Sequence, residues 1–106
     1  MQIIIDAIHQ KRVLKLWYGG GDRLIEPHCY GMGREGQGLL RCFQISGFSS
    51  SNAPFAWKLL TVAEIQDPSL TDQTFPTPRT DYNPQDKAMA RVIAALPASA
   101  VTRAWR

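Results

Sequence analysis

The sequence has 106 residues, of which 44% are hydrophobic and 20% are charged, and its formal net charge is +3. This composition is typical of one globular domain and excludes a wholly disordered chain. No apolar run approaches the roughly 18 residues of a membrane-spanning helix, and the first residues lack the pattern of a signal peptide. Two cysteines, Cys29 and Cys42, are too few for a disulfide framework. We therefore expect a cytoplasmic protein with buried thiols.

The first part of the chain predicts a helix followed by short antiparallel strands. Residues 2–12 have isoleucines at helical spacing, which indicates an amphipathic helix. Residues 13–18 then alternate with a period of two, and a run of three glycines predicts a hairpin to a second strand at residues 23–30. Further strands are predicted at residues 39–46 and 55–60, whereas residues 61–66 fit either one helical turn or a short fifth strand.

The last part of the chain predicts a connector and a second helix. Residues 68–83 are rich in Pro, Thr and Asp and are predicted to cross the surface, anchored by Phe75. The segment Asn83-Pro84-Gln85-Asp86 has the residue types of a helix start. Apolar residues at helical spacing follow at Met89, Val92, Ile93 and Leu96. Residues 84–106 are therefore expected to form a helix and tail packed on the same domain, with Trp105 available to dock on a partner.

These elements predict a mainly β fold with flanking helices. The order lacks alternating β and α units, which disfavours a doubly wound sheet. Short, strongly turned strands favour a small antiparallel SH3-like or Sm-like barrel with an N-terminal and a C-terminal helix. The expected organisation is a barrel module with its helix at residues 1–67, a surface connector at 68–83, and the helix and tail at 84–106.

Three sequence segments resemble the WYL domain, a family found in bacterial transcription regulators. They are the strand ending in Trp17-Tyr18, the element Arg23-Leu24-Ile25-Glu26-Pro27, and the stretch from Lys58 to Ile65. The resemblance covers about residues 2–67 and is greatest to small stand-alone bacterial relatives. The chain departs from the family at its namesake motif, where it has Gly38-Leu39-Leu40, and at Lys58, where the family commonly has an arginine. The resemblance implies an SH3-like or Sm-like barrel that senses a ligand or nucleic acid.

The resemblance also implies a basic and aromatic binding surface on the barrel. Guanidinium groups bond phosphate in a forked geometry, lysine adds a point charge, and aromatic rings stack on bases. The candidate ligand-binding residues are Arg23, Arg41, Gln44, Ser46, Trp57 and Lys58. A purely structural role stays open for two of them, since Arg23 can pair with Asp22 or Glu26, and Trp57 can belong to the core or the barrel rim. Arg41 is the least ordinary, because strand alternation places it between Leu39 and Phe43.

The remaining residue patterns do not indicate catalysis or a metal centre. The histidines and cysteines lack ligand spacing, and no nucleophile elbow surrounds the serines at 49–51. The Gly31-x-Gly33-x-x-Gly36 pattern lies between strands and opens no helix, so it is not a dinucleotide fingerprint. We expect no cofactor, and a nucleotide, oligonucleotide or other anion as the ligand. The alternative is a protein-interaction module that forms a homodimer or docks on a larger bacterial partner.

Overall fold

A computed structural model describes residues 1–98, which form an N-terminal helix and one antiparallel sheet of six strands. The elements in chain order are α1 (Gln2–Gln10), β1 (Arg12–Tyr18), β2 (Gly21–Met32), β3 (Gly38–Gly47), β4 (Ala56–Thr61), β5 (Gln66–Thr74) and β6 (Arg91–Ala95). A 3-10 turn at Val62–Glu64 joins β4 to β5. The predicted mainly β class with an N-terminal helix is therefore confirmed. No helix within the described residues is long and apolar enough to cross a membrane.

The helix and the first hairpin form where local sequence predicts them. The helix α1 buries Ile4, Ala7 and Ile8 against the sheet, as its amphipathic spacing requires. The turn between β1 and β2 contains Gly19 and Gly20 at φ values of 60° and 108°. A tight hairpin turn with two positive φ angles matches the twist of the flanking strands, and glycine adopts it without steric cost.

The sheet is organised around the long strand β2. Its order is β4-β3-β2-β1-β5, and β6 pairs with β2 outside this path. The first half of β2 pairs with β1 and the second half with β6, while β3 runs along the other edge. Within residues 1–98, β4 and β5 form the two ends of the sheet and are not paired with each other. The predicted barrel is therefore not closed by strand pairing.

The predicted surface connector is wrong in its first half, because β5 occupies residues up to Thr74. This strand pairs with β1, so that Leu70 lies opposite Leu14. Pro68 is tolerated because β5 is an end strand and the register of its pairing with β1 shifts beside Pro68. Asp67, at a φ of 51°, contributes to the same irregularity. The ambiguous residues 61–66 contain both predicted alternatives, a helical turn and the start of a strand.

The predicted C-terminal helix is also wrong. Asn83 Oδ1 accepts a hydrogen bond from the Gln85 N–H, and Asp86 Oδ1 accepts one from the Ala88 N–H, each at 2.9 Å. A bond to the N–H two residues ahead occurs in an Asx turn as well as at a helix start. Here only a turn follows, in which the Met89 N–H donates to the Asp86 carbonyl, and no helix lies between β5 and β6. Residues of β6 instead satisfy their backbone groups on β2. Of the apolar residues at helical spacing, Met89 and Leu96 are buried, whereas Val92 and Ile93 are exposed. Trp105 lies outside the described residues.

Strand alternation gives the β2-β3-β4 part of the sheet two distinct faces. Leu40 and Cys42 lie on the core face and belong to the hydrophobic cluster that includes Ile4 and Ile8 of α1. Leu39 lies on the opposite, outer face, and it packs with Met89 of the segment that follows β5. We call residues 75–90 the covering segment, because they cross this outer face between β5 and β6.

Replacing Gly31 with alanine tests the position of β6. A Cβ at Gly31 would overlap the carbonyl oxygen of Arg91, so β6 must shift. We expect Gly31→Ala to lower the free energy of unfolding by about 1–3 kcal/mol in urea denaturation, as overpacking does. The control is Gly38→Ala, whose Cβ would meet only the side chain of Val62 at 3.2 Å. Equal effects of the two substitutions would contradict the assigned position of β6.

Candidate functional site

The six candidate residues are divided between the two faces of the sheet. In β3, Gln44 shares the core face with Cys42, and Arg41 lies on the outer face. The register places Lys58 opposite Cys42 and Trp57 opposite Phe43. Lys58 therefore belongs to the core face and Trp57 to the outer face. The predicted single basic and aromatic surface is instead two separate surfaces.

Arg23 has a nearly buried guanidinium whose hydrogen-bond partners are neutral. The residue is 4% exposed; its Nε donates to the Tyr18 carbonyl at 3.0 Å and its Nη1 donates to Gln44 Oε1 at 3.3 Å. Neither Asp22 nor Glu26, the carboxylates considered from sequence, forms an ion pair with it in residues 1–98. No fully buried side-chain nitrogen or oxygen in the described chain lacks a partner, and Nη2 makes no hydrogen bond there, so Nη2 reaches solvent.

Lys58 lies on the same face and also bonds to neutral groups. Its Nζ donates to Ser49 Oγ at 2.8 Å and to Ser51 Oγ at 3.1 Å. The loop that carries these serines begins at Phe48, whose ring centroid is 5.6 Å from the Arg23 guanidinium carbon. We call Arg23, Phe48, Ser49, Ser51 and Lys58 the basic surface. The sequence does not indicate a binding role for Phe48 or for the serines, because no local pattern shows that this loop folds back over Arg23.

Gln44 differs from the role predicted for it, whereas the binding role of Ser46 stays a prediction. Gln44 is fully buried and uses both ends of its amide internally, since Oε1 accepts from Arg23 and Nε2 donates to the Phe48 carbonyl at 2.8 Å. It therefore positions Arg23 and the loop and has no exposed group for a ligand. Ser46 is exposed opposite Leu24, and its side chain makes no hydrogen bond within residues 1–98.

On the outer face, Arg41 is neutralised by the covering segment. Its Nε and Nη2 donate to the two carboxylate oxygens of Asp86 at 2.7 and 3.3 Å. Burial raises the pKa of Asp86, but hydrogen bonds from Arg41 and from the Ala88 N–H outweigh burial and leave the pKa below its usual value. A bidentate pair of this kind fixes orientation as well as charge.

A cavity of about 400 Å³ lies between this part of the outer face and the covering segment. It is lined by Arg41, Trp57, Asp81, Tyr82, Asn83, Asp86 and Lys87. The indole of Trp57 donates to the Thr80 carbonyl at 3.3 Å and lies nearly parallel to the Tyr82 ring, with an interplanar angle of 20°. Two of the predicted ligand-binding residues, Arg41 and Trp57, therefore line one cavity.

A second arginine–carboxylate pair joins the covering segment to β2. The Arg79 Nε and Nη2 donate to the two carboxylate oxygens of Glu26 at 2.7 and 3.0 Å. The guanidinium carbon also lies 4.5 Å from the Phe43 ring centroid. This pair is not predictable from the sequence, because its members are 53 residues apart and no local pattern connects them.

Buried His28 has a defined tautomer beside this pair. Its Nε2 accepts the backbone N–H of Arg79 at 3.0 Å, so the proton is on Nδ1, which donates to the Glu26 carbonyl at 2.8 Å. The ring stacks on Phe75, with centroids 5.6 Å apart. Burial lowers the pKa of His28, which keeps the ring neutral. The arrangement is structural, because all ring positions able to hydrogen-bond are occupied.

Comparisons with known proteins add no assignment to this geometry. No family model matches the chain, and no curated protein or solved structure matches it significantly. Among residues 1–98, no group of three or more His, Cys, Asp or Glu side chains is arranged to hold a metal ion.

The neutral state of His28 predicts a pH-dependent stability. Because the pKa of His28 is lower in the folded protein, the unfolded chain binds the proton first. The full stability is present above the unfolded pKa of about 6.5 and decreases as the pH falls towards the folded pKa, by at most about 1.4 kcal/mol per pH unit. Urea denaturation between about pH 7 and 5.5 measures this slope, in a range above the ordinary pKa of carboxylates.

Two variants isolate the contribution of His28. We expect His28→Gln to remove most of the slope and His9→Gln, at an exposed position on α1, to retain it. A wild-type free energy of unfolding that is constant over this range, or an unchanged slope in His28→Gln, would contradict the assignment.

Proposed function

We propose that this protein is a non-enzymatic regulatory module that binds a phosphate-bearing ligand, either a nucleotide or a single-stranded oligonucleotide, at the basic surface. The observation that carries the proposal is the environment of Arg23, a nearly buried cation whose partners among residues 1–98 are all neutral and whose Nη2 makes no hydrogen bond with those residues. Buried charges are normally paired, since removing a cation from water is costly. An anion at this position supplies the missing compensation.

The distribution of ion pairs supports the basic surface over the outer face. In the described part of the chain, the arginines of the outer face each pair with a carboxylate, Arg41 with Asp86 and Arg79 with Glu26. The cations of the basic surface, Arg23 and Lys58, have hydroxyl, amide and carbonyl oxygens as their partners. The surface with uncompensated positive charge is therefore the one suited to an anion.

The space around Arg23 Nη2 also supports this site. A Cβ at Gly19 would lie 3.1 Å from Nη2, so the absence of a side chain at Gly19 makes room around this nitrogen. The neighbouring residue Phe48 is 41% exposed. Phosphate accepts bonds from guanidinium, ammonium and hydroxyl groups, and an exposed aromatic ring allows a base to stack. Together, these groups favour a nucleotide-like ligand over a simple inorganic anion.

The resemblance to the WYL domain supports the same function. Arg23 and Lys58 are the residues that match its basic positions, and they lie on one face of this sheet. The strand order β4-β3-β2-β1-β5 also supports an SH3-like or Sm-like barrel, since bringing β4 to β5 would complete a small five-stranded cylinder. We propose that the fold is an open form of this barrel, extended by β6.

Replacing Lys58 tests the phosphate site. Labelled oligothymidylate serves as the probe, and fluorescence anisotropy at several salt concentrations gives the affinity and its salt dependence. We expect Lys58→Gln to weaken binding and to reduce the slope of log affinity against log salt by about 0.7, the value for one phosphate contact on a single strand. Arg23→Lys, which retains the charge but loses the forked geometry, is expected to weaken binding as well.

Lys15→Gln is the matched control, because it removes the same charge from an exposed position on β1. We expect this control to bind as the wild type does. If Lys58→Gln and the control have the same affinity and the same salt slope, the basic surface is not the binding site.

A second candidate function, homodimerisation, is favoured by the exposure of β6. Val92 and Ile93 are 44% and 42% exposed, and β6 has no strand on its second edge within residues 1–98. Adjacent residues of a strand point to opposite faces, so both faces of β6 are open here. Sedimentation across concentrations tests this candidate: a dimer that Ile93→Lys dissociates supports it, and a monomer at every concentration rejects it.

A further inference from the structure

We propose that the cavity between Trp57 and the covering segment is a second binding site, which takes an uncharged planar heteroaromatic ring of the nucleobase type. The site is on the outer face, and the proposal does not depend on phosphate binding at the basic surface. It is carried by the aromatic walls of the cavity, by the balance of its charges and by polar groups that have no partner within the described residues.

The size and the walls of the cavity suit a small planar molecule. Its volume of about 400 Å³ falls within the range of roughly 300–1,000 Å³ for small-molecule sites. Trp57 and Tyr82 form the aromatic part of the lining. The Tyr82 hydroxyl donates its proton to the Leu96 carbonyl at 2.7 Å and therefore cannot donate to a ligand at the same time. A ring in the cavity would be held by stacking and apolar contact with the side chains of Trp57 and Tyr82.

The charges that line the cavity balance one another. Arg41 and Lys87 are basic, while Asp81 and Asp86 are acidic. Arg41 and Asp86 are already joined to each other through two hydrogen bonds. An anionic ligand would have to compete with Asp86 for Arg41, and a cationic ligand would have to compete with Arg41 for Asp86. The cavity therefore favours a ligand without net charge.

Other polar groups of the lining remain available to form hydrogen bonds with the edge of a ring in the cavity. Asn83 uses its Oδ1 for the Gln85 N–H, and its amide nitrogen donates to no group in residues 1–98. The Asp81 carboxylate likewise accepts no hydrogen bond there, and the residue is exposed. The site thus offers an N–H donor and a carboxylate acceptor beside an aromatic wall. A nucleobase has the complementary acceptors and donors on one planar edge.

Nuclear magnetic resonance titration with neutral nucleosides tests the site in the full chain. The probes are adenosine, guanosine, cytidine and uridine, and the reporter is the indole N–H resonance of Trp57, assigned by its loss in Trp57→Phe. We expect at least one nucleoside to shift this resonance saturably. We also expect the affinity to be nearly independent of salt, because no phosphate is involved. The lack of salt dependence distinguishes this site from the basic surface.

Asp81→Asn tests the edge contact without straining the backbone. Asp81 has a φ of 72°, a region that asparagine tolerates as well as aspartate does. Loss of the charged acceptor is expected to weaken binding about tenfold. Asp67→Asn is the matched control, since Asp67 is also exposed and has a φ of 51°, but it lies on β5 and does not line the cavity.

Each outcome of the titration bears on the proposal. Saturable, salt-independent shifts that Asp81→Asn weakens and Asp67→Asn leaves unchanged support it. The proposal is overturned if no nucleoside moves the Trp57 resonance, or if the two variants have equal affinities. It is also overturned if binding requires a phosphate group, because the ligand would then belong to the basic surface.

Discussion

Two bidentate arginine–carboxylate pairs determine how charge is distributed over this molecule. Arg79 with Glu26 and Arg41 with Asp86 both connect the covering segment to the outer face of the sheet. Both carboxylates lie on the outer face, whereas the partners of Arg23 and Lys58 within residues 1–98 are neutral groups. The two contacts therefore neutralise the arginines of the outer face and leave the charge of the basic surface uncompensated.

The covering segment also creates the environment of His28 and the cavity at Trp57. Its backbone N–H at Arg79 bonds to His28 and selects the neutral tautomer, and its residues from Asp81 to Lys87 complete the cavity lining. A substitution that releases Asp86 from Arg41 would consequently alter both stability and the shape of the cavity. For this reason, exposed positions at the rim, such as Asp81, report on binding more directly than Arg41 does.

Local sequence was sufficient to predict α1 and most of the first four strands, because their periodicity and the glycine turn act within a few residues. It was insufficient for β5 and β6, since each depends on a partner strand that is distant in sequence. The capping residues Asn83 and Asp86 were identified as the start of a helix, but their side chains bond to N–H groups two residues ahead. The apolar residues that follow have helical spacing, but they form β6 because the backbone of β2 offers hydrogen bonds to a strand at this position.

The candidate site was predictable in its residue types but not in its arrangement. Trp57 and Lys58 are adjacent in a strand, so alternation alone separates their faces. Whether Arg41 lies on the same face as Trp57 or on the same face as Lys58 depends on the register between β3 and β4, which the sequence does not specify. The role of Gln44 as a positioning residue depends on the return of the loop at Phe48, and the pairing of Glu26 with Arg79 depends on the path of the covering segment.

The most direct test of the account is a phosphate titration that observes the arginine side chains themselves. Proton–nitrogen spectra of the Nε–H groups, recorded with increasing inorganic phosphate, report each guanidinium separately. The account predicts a saturable change at Arg23 and little change at Arg41 and Arg79, since these two are held by carboxylates. Equal changes at all three arginines, or a change confined to Arg41, would contradict it.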